Sequence, residues 1–316
     1  MTRRIKLATL AGVFVATLGS LPAVAQAPEI KDIRFVGVPS SGSSLVWVAR
    51  DRGFDQEEGV SFKPAADLAA GLVTDNILAG RAEMAYGGIT TMMIAASKGA
   101  PLAIIANTDY GTNWELLVHG DSPYQSLKEM GGKTVSVIAP NTICVLALKR
   151  ALELDGLPAD HLKFTVVAPP DQAAVFGAKR VDASCMFDPI RTQMRTQFGG
   201  RPIWRILDPR YIIAKSLGGG LVVRNDFIDK NPRTVAAIQR AINKAAIAAN
   251  ADPEVVFQSL AAATKQSVEN LRKISLSNYA SPPTLGDANK EMADLLLKYG
   301  FLDKPLDLVA FDRSPK

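Results

Sequence analysis

The chain has 316 residues, 47% of them hydrophobic and 21% charged, with 24 Gly, 19 Pro and two Cys; this balance excludes a disordered chain, a collagen-like repeat and a disulfide-stapled miniprotein. The formal net charge is +5, but Arg3, Arg4 and Lys6 supply three of those charges ahead of the first acid, Glu29. The remainder is nearly neutral, so no basic excess supports nucleic-acid binding.

Arg3, Arg4 and Lys6 form a basic start, Leu7 to Leu21 is apolar, and Ala23-Val24-Ala25-Gln26-Ala27 offers small-x-small cleavage sites. The pattern predicts a secretory signal peptide over residues 1–25, cut after Ala25. The apolar run is shorter than the roughly 20 residues that span a bilayer. No Cys follows it to carry a lipid, and Lys6 departs from the twin-Arg pattern begun by Thr2-Arg3-Arg4. The expected compartment is the periplasm. Cys144 and Cys185 would be free to pair there, although spacing alone does not say whether they do. His119 and His161 stand apart from any Cys or His cluster, so no metal site is expected.

Ile33–Val38 reads as a strand, followed by the polar loop Pro39 to Ser44 and a helix over 45–50 that ends at Gly53. A strand over 60–63, a helix over 67–79 with Leu68, Leu72, Ile77 and Leu78 on its apolar side, and a buried strand over 84–86 come next. Gly87-Gly88-Ile89-Thr90-Thr91 opens another helix before a strand over 102–106. The grammar then repeats: strands over 133–138, 164–167 and 183–187 alternate with helices over 143–154 and 171–178. A strand over 220–224 and helices over 232–250, 253–263, 268–274 and 285–299 complete the chain. Asn231 ahead of Pro232 reads as a helix cap. Alternating strands and helices define an α/β class with mainly parallel sheets. Aligning Arg81 with Arg180 sets Gly80–Tyr86 beside Lys179–Cys185: a helix ends, an acid follows two residues after Arg, and a small-residue strand leads to a loop. This echo predicts two similar lobes.

Three segments carry a family resemblance: Asn76–Gly88; Gly120-Asp121-Ser122-Pro123 with Ser126–Val135; and Arg180-Val181-Asp182-Ala183 with Phe187-Asp188-Pro189. Over roughly 33–257 the chain resembles the solute-binding proteins of ABC importers for nitrate, sulfonate and taurine, including thiamine-precursor binders. The resemblance implies a periplasmic-binding-protein-like fold of type II, with lobe one at 28–112 plus 215–316 and lobe two at 113–214. It further implies a ligand cleft between lobes that close on the ligand, an ABC permease in the inner membrane as partner, and a monomeric chain without cofactor.

Parallel α/β sheets bind ligands beyond the carboxyl ends of their strands. Here those ends lead to small, hydroxyl-rich loops at helix starts: Ser41, Gly42, Ser43 and Ser44; Gly88, Thr90 and Thr91; Asn141 and Thr142. Unpaired N–H groups with partial positive charge suit an anion, although plain helix capping would use the same residues. No Arg or Lys lies in these loops, which favours a singly charged organic anion, a sulfonate or carboxylate, over sulfate or phosphate. The resemblance makes Phe187 a stacking wall, with core packing as its other reading. Asp188 either accepts from a ligand amine or caps the helix begun by Pro189, and capping is favoured. Tyr110 and Trp114 flank the first crossing between lobes, and Cys144 lies in the first turn of its helix. Enzymes on this scaffold place a nucleophilic Cys in the first strand–helix loop or carry a compact Cys cluster; this chain has neither, so a binding role is expected and not an enzyme. A ligand sensor for a membrane receptor is the other open function. No Walker motif is present.

Overall fold

A computed structural model describes residues 26–65, 72–284 and 286–315. The predicted signal peptide, the start of the helix expected over 67–79 and Leu285 lie outside the described residues.

Strand β1 (Asp32–Val36) leads to α1 (Ser44–Asp51), and Gly53 at φ 75° separates α1 from the single turn α2 (Phe54–Glu57). Edge strand β2 (Ser61–Pro64), α3 (Val73–Leu78), β3 (Met84–Gly88), α4 (Ile89–Ser97) and β4 (Leu102–Asn107) follow. After the short β5 (Asp109–Tyr110) the chain enters a second lobe with β6 (Glu115–Val118), β7 (Thr134–Val137), α5 (Ile143–Leu154) and β8 (Lys163–Val166). Helix α6 (Gln172–Gly177), β9 (Ala183–Met186), α7 (Ile190–Phe198) and β10 (Arg201–Arg205) complete that lobe. Strand β11 (Gly219–Arg224) returns to the first lobe, followed by α8 (Asn225–Lys230), α9 (Pro232–Ala251), α10 (Glu254–Thr264) and α11 (Val268–Leu271). Strand β12 (Asn278–Tyr279), α12 (Ala288–Lys298) and α13 (Leu308–Phe311) end the chain.

The sheets run β2-β1-β3-β11-β4 and β10-β6-β9-β7-β8. Read from opposite edges, they have the same plan. In each, four strands point one way and one runs against them: β11 pairs antiparallel with β3 and β4, and β6 with β9 and β10. Each reversed strand is the first its sheet receives after the chain crosses between lobes, so it enters from the opposite side. The internal echo falls on the two central strands, β3 and β9. Glu83 accepts from the Arg34 N–H and Asp182 from the Thr134 N–H, both at 2.8 Å. Their own N–H groups bond back to the carbonyls of Arg34 (3.2 Å) and Thr134 (3.0 Å). The acid of each echo thus clamps the neighbouring parallel strand.

Sheet one is buried on both faces. Ile33, Phe35, Leu221 and Val223 pack toward α1, α9 and α10. Val36, Ile104 and Val222 face the other way, into a cluster with Met292 and Leu296 of α12 that continues through Trp114 to Leu116, Val135 and Leu146 of the second lobe. The far face of sheet two is closed by Phe176 of α6 and Met194 of α7. Cys144 in α5 and Cys185 in β9 form a disulfide, Cα–Cα 6.5 Å, with a sequence separation of 41. Closing a loop of that length stabilises the fold by about 4 kcal/mol on the chain-entropy argument.

Asn231 does not cap α9: its amide donates to the Phe227 carbonyl at 3.0 Å. The cap comes from Glu29, which accepts from the N–H groups of Arg233 (3.2 Å) and Thr234 (2.8 Å) and from the Thr234 hydroxyl (2.9 Å). Burial alone would raise the Glu29 pKa, but these donors outweigh it and hold the carboxyl down at about 2. Among the described residues, no helix is long and apolar enough to cross a membrane.

Candidate functional site

The carboxyl ends of β1, β3 and β7 lead into one cleft of about 650 Å³ between the lobes. Ser40, Ser41 and Gly42 line it from the β1–α1 loop. Ser43 and Ser44 are not brought to the lining; both are fully buried behind it. The Ser43 hydroxyl donates to the Val38 carbonyl at 2.8 Å and accepts from the Ser40 N–H at 3.0 Å. Ser44 Oγ lies 2.6 Å from the Ser41 carbonyl and 2.9 Å from the Tyr279 hydroxyl. These two hydroxyls shape the loop, and the expectation that they face a ligand is corrected accordingly.

Gly88, Thr90 and Thr91 line the cleft at the start of α4, and Asn141 and Thr142 at the start of α5. The two helices reach the cleft from opposite lobes. They come close enough for the Thr91 hydroxyl to donate to the Asn141 carbonyl, at 3.4 Å. The first turns of two helices, whose N-termini carry partial positive charge, therefore meet across one gap.

Phe187 lines the cleft and packs against Trp114, ring centroids 4.7 Å apart and planes at 52°. Tyr110 is not on the lining, because its strand pairs with β12. Cys144 is fully buried in the disulfide. Asp188 borders the cleft, but its oxygens are engaged. One accepts from the Thr192 N–H (3.0 Å) and hydroxyl (2.6 Å); the other meets Arg191 and accepts from the Ser275 N–H of the first lobe at 2.8 Å. Asp188 is thus the cap of α7 and also a bridge between lobes. Arg191 in turn donates to the Asn113 carbonyl at 2.8 Å and lies 3.6 Å from Glu115.

Sequence reasoning missed Tyr86 and Asp109, which sit side by side on the cleft. The Tyr86 hydroxyl donates to Asp109 at 3.3 Å, and Thr108 Oγ1 (3.1 Å) and the Gly219 N–H (3.0 Å) point at the same oxygen. Burial pushes the Asp109 carboxyl up despite these donors, and burial next to that carboxyl pushes the Tyr86 phenol well up. Asp109 closely follows the end of β4, the position the strand-end rule singles out. Ser275 and Ser277, also on the lining, come from beside β12 and carry no local signal.

Among the described residues, the lining contains Asp75, Asp109 and Asp188 and no Lys, Arg or His. His119 donates to the Val181 carbonyl at 3.0 Å and stacks on Phe176; His161 donates to the Leu127 carbonyl at 2.8 Å. Neither stands beside a cleft hydroxyl. No group of three or more potential metal ligands occurs among the described residues.

Known structures share this fold. The alkanesulfonate-binding protein SsuA from Xanthomonas axonopodis pv. citri, bound to MOPS, superposes with a TM-score of 0.74 at 16% identity, over 91% of this chain and 99% of that one. The periplasmic nitrate-binding protein NrtA from Synechocystis PCC 6803 gives 0.70 at 15% identity, over 88% and 84%. The desulfurization enzyme DSZB gives 0.65 at 16% identity, over 88% and 95%. At these identities the likeness is one of fold: two α/β lobes of the periplasmic-binding-protein type. A search of curated proteins returns no match. Residues 42–255 match the profile described as NMT1/THI5 like, and the chain belongs to that family.

Proposed function

We propose that the chain is an exported solute-binding protein that captures a small organic acid, a sulfonate or carboxylate, and delivers it to an ABC permease in the inner membrane. The supporting observation is the convergence of the α4 and α5 N-termini from opposite lobes, with Thr91 and Asn141 3.4 Å apart. An acid group between them would accept N–H bonds from both lobes at once, and so would favour the closed state over the open one. The cleft volume of about 650 Å³ lies in the range of small organic ligands and far exceeds an inorganic anion. The Trp114–Phe187 wall suits an apolar or aromatic body. Lobe limits of 28–112 with 215–316, and 113–214, would put the two crossings near Thr112 and Lys215, side by side where the Gly111 N–H donates to the Lys215 carbonyl at 2.9 Å. The compartment is the periplasm, reached through the segment ahead of Gln26, and the protein works as a monomer without catalysis.

A thermal-shift screen of residues 26–316, stripped of carried-over ligand by unfolding and refolding, tests this reading. The panel contains alkanesulfonates, taurine, aromatic and aliphatic carboxylates, nitrate and thiamine precursors. A ligand at 100 times its Kd adds about 2.7 kcal/mol to the native state, a rise of roughly 5 °C or more for a chain of this size. Saturable stabilisation by one organic class is expected. A folded protein that none of these compounds stabilises would refute capture of a small organic acid.

A further inference from the structure

Two carboxylates on the cleft are buried to nearly the same degree, Asp109 at 1% and Asp188 at 2% exposure. Their surroundings differ in one respect. Asp188 is paired with the Arg191 guanidinium. Asp109 receives only neutral donors: the Tyr86 and Thr108 hydroxyls, the Gly219 N–H and the Ser277 side chain. No Lys, Arg or His of the described lining stands near it, and the sequence of segment 66–71, Ala-Asp-Leu-Ala-Ala-Gly, contains no cation either. A buried carboxylate without a counter-charge is costly, and burial accordingly pushes its pKa up.

The space around it is kept free of side chains. A Cβ at Gly42 or Gly219 would run into Tyr86, and one at Gly218 into Asp109 itself. Three glycines, from the β1–α1 loop and the start of β11, thus form a cradle that holds Tyr86 against Asp109 while the pair borders the ligand space. Fixing a carboxylate so carefully on a binding surface while withholding its cation leaves the charge balance to whatever enters the cleft.

We propose that Asp109, positioned by Tyr86, is the subsite for a protonated amine or a similarly cationic N–H group of the ligand. This inference rests on the capture reading above and narrows it: the solute carries a positive nitrogen for Asp109 as well as the acid group that meets α4 and α5. Tyr86 is a positioning residue here, and Asp109 makes the contact.

Matched pairs that differ only at the nitrogen test the subsite: 2-aminoethanesulfonate against 2-hydroxyethanesulfonate, and 4-(aminomethyl)benzoate against 4-(hydroxymethyl)benzoate. Binding is measured by calorimetry on the stripped chain. The amine of at least one pair should bind tenfold or more tightly than its hydroxyl partner, and Asp109→Asn should bring the two members of that pair to within about threefold of each other. The wild-type comparison stands alone if the variant does not fold. Equal binding of amine and hydroxyl members, or a preference that survives Asp109→Asn, overturns the inference and leaves solute capture standing. Silence of both pairs alongside a nitrogen-free hit in the wider panel also overturns it. Silence of the pairs and of the whole panel overturns the capture reading itself.

Discussion

Gly219 shows how tightly single residues are constrained around the cleft. Its missing Cβ leaves room for the Tyr86 ring, and its N–H is one of the donors on Asp109. Gly219→Ala should force Tyr86 outward and cost about 2 kcal/mol, the usual penalty for overpacking a closed site. Gly88→Ala, where the nearest atom to the added methyl would be 3.9 Å away, should stay within about 0.5 kcal/mol of wild type. Urea denaturation of the two variants checks the contrast, and equal effects would mean that Tyr86 has room to yield. The same scale explains what could be read from residues in sequence. Ser40–Ser44, Thr90 and Asn141 were visible because loops at strand ends have a composition. Which hydroxyls face inward was not, since Ser43 and Ser44 are turned away by bonds to Val38, Ser41 and Tyr279, the last of them 235 positions along the chain from Ser44.

At the scale of elements, periodic helices and buried parallel strands were legible. Helix α5 spans the expected 143–154, and α9 departs by one residue from its expected end. Strands β6 and β10 were not legible: a four-residue run buried on both faces, Glu115–Val118, has no period to detect, and the half-buried edge strand Arg201–Arg205 does not alternate either. Helix caps supplied from afar are equally silent. Glu29 caps α9 across 204 to 205 positions, where local sequence nominates Asn231. That cap makes a pH prediction. The Glu29 carboxyl is held at about 2 in the folded chain against an ordinary value of 4.5. Its contribution is complete above the ordinary value and is lost as pH falls from about 4.5 toward about 2, because the unfolded chain takes up the proton first. Glu29→Gln should therefore lower the Tm at pH 7 and flatten the acid limb of a Tm-against-pH curve. An unchanged acid limb would assign acid sensitivity to other carboxylates.

For the whole molecule, the two-lobed plan was anticipated by the echo around Arg81 and Arg180, because each lobe needs the same acid to clamp its central strand. What joins the lobes was not, since it depends on residues that meet only after both have folded. Asp188 of lobe two accepts the Ser275 N–H of lobe one, and Arg191 ties that carboxylate to Asn113 at the crossing and to Glu115 beside it. This buried carboxylate thus bonds both its own lobe and the opposite one. Asp188→Asn should leave Arg191 with less compensation and cost about 3 kcal/mol. It should also let the ligand-free lobes part, seen as a larger radius of gyration in solution scattering. Thr192→Val removes a donor from the same carboxylate within lobe two (2.6 Å) but spares the Ser275 contact. It should cost about 1 kcal/mol and leave the radius of gyration unchanged. If both variants are destabilised but neither expands, Asp188 serves lobe two alone, and other contacts such as Thr91–Asn141 hold the lobes together.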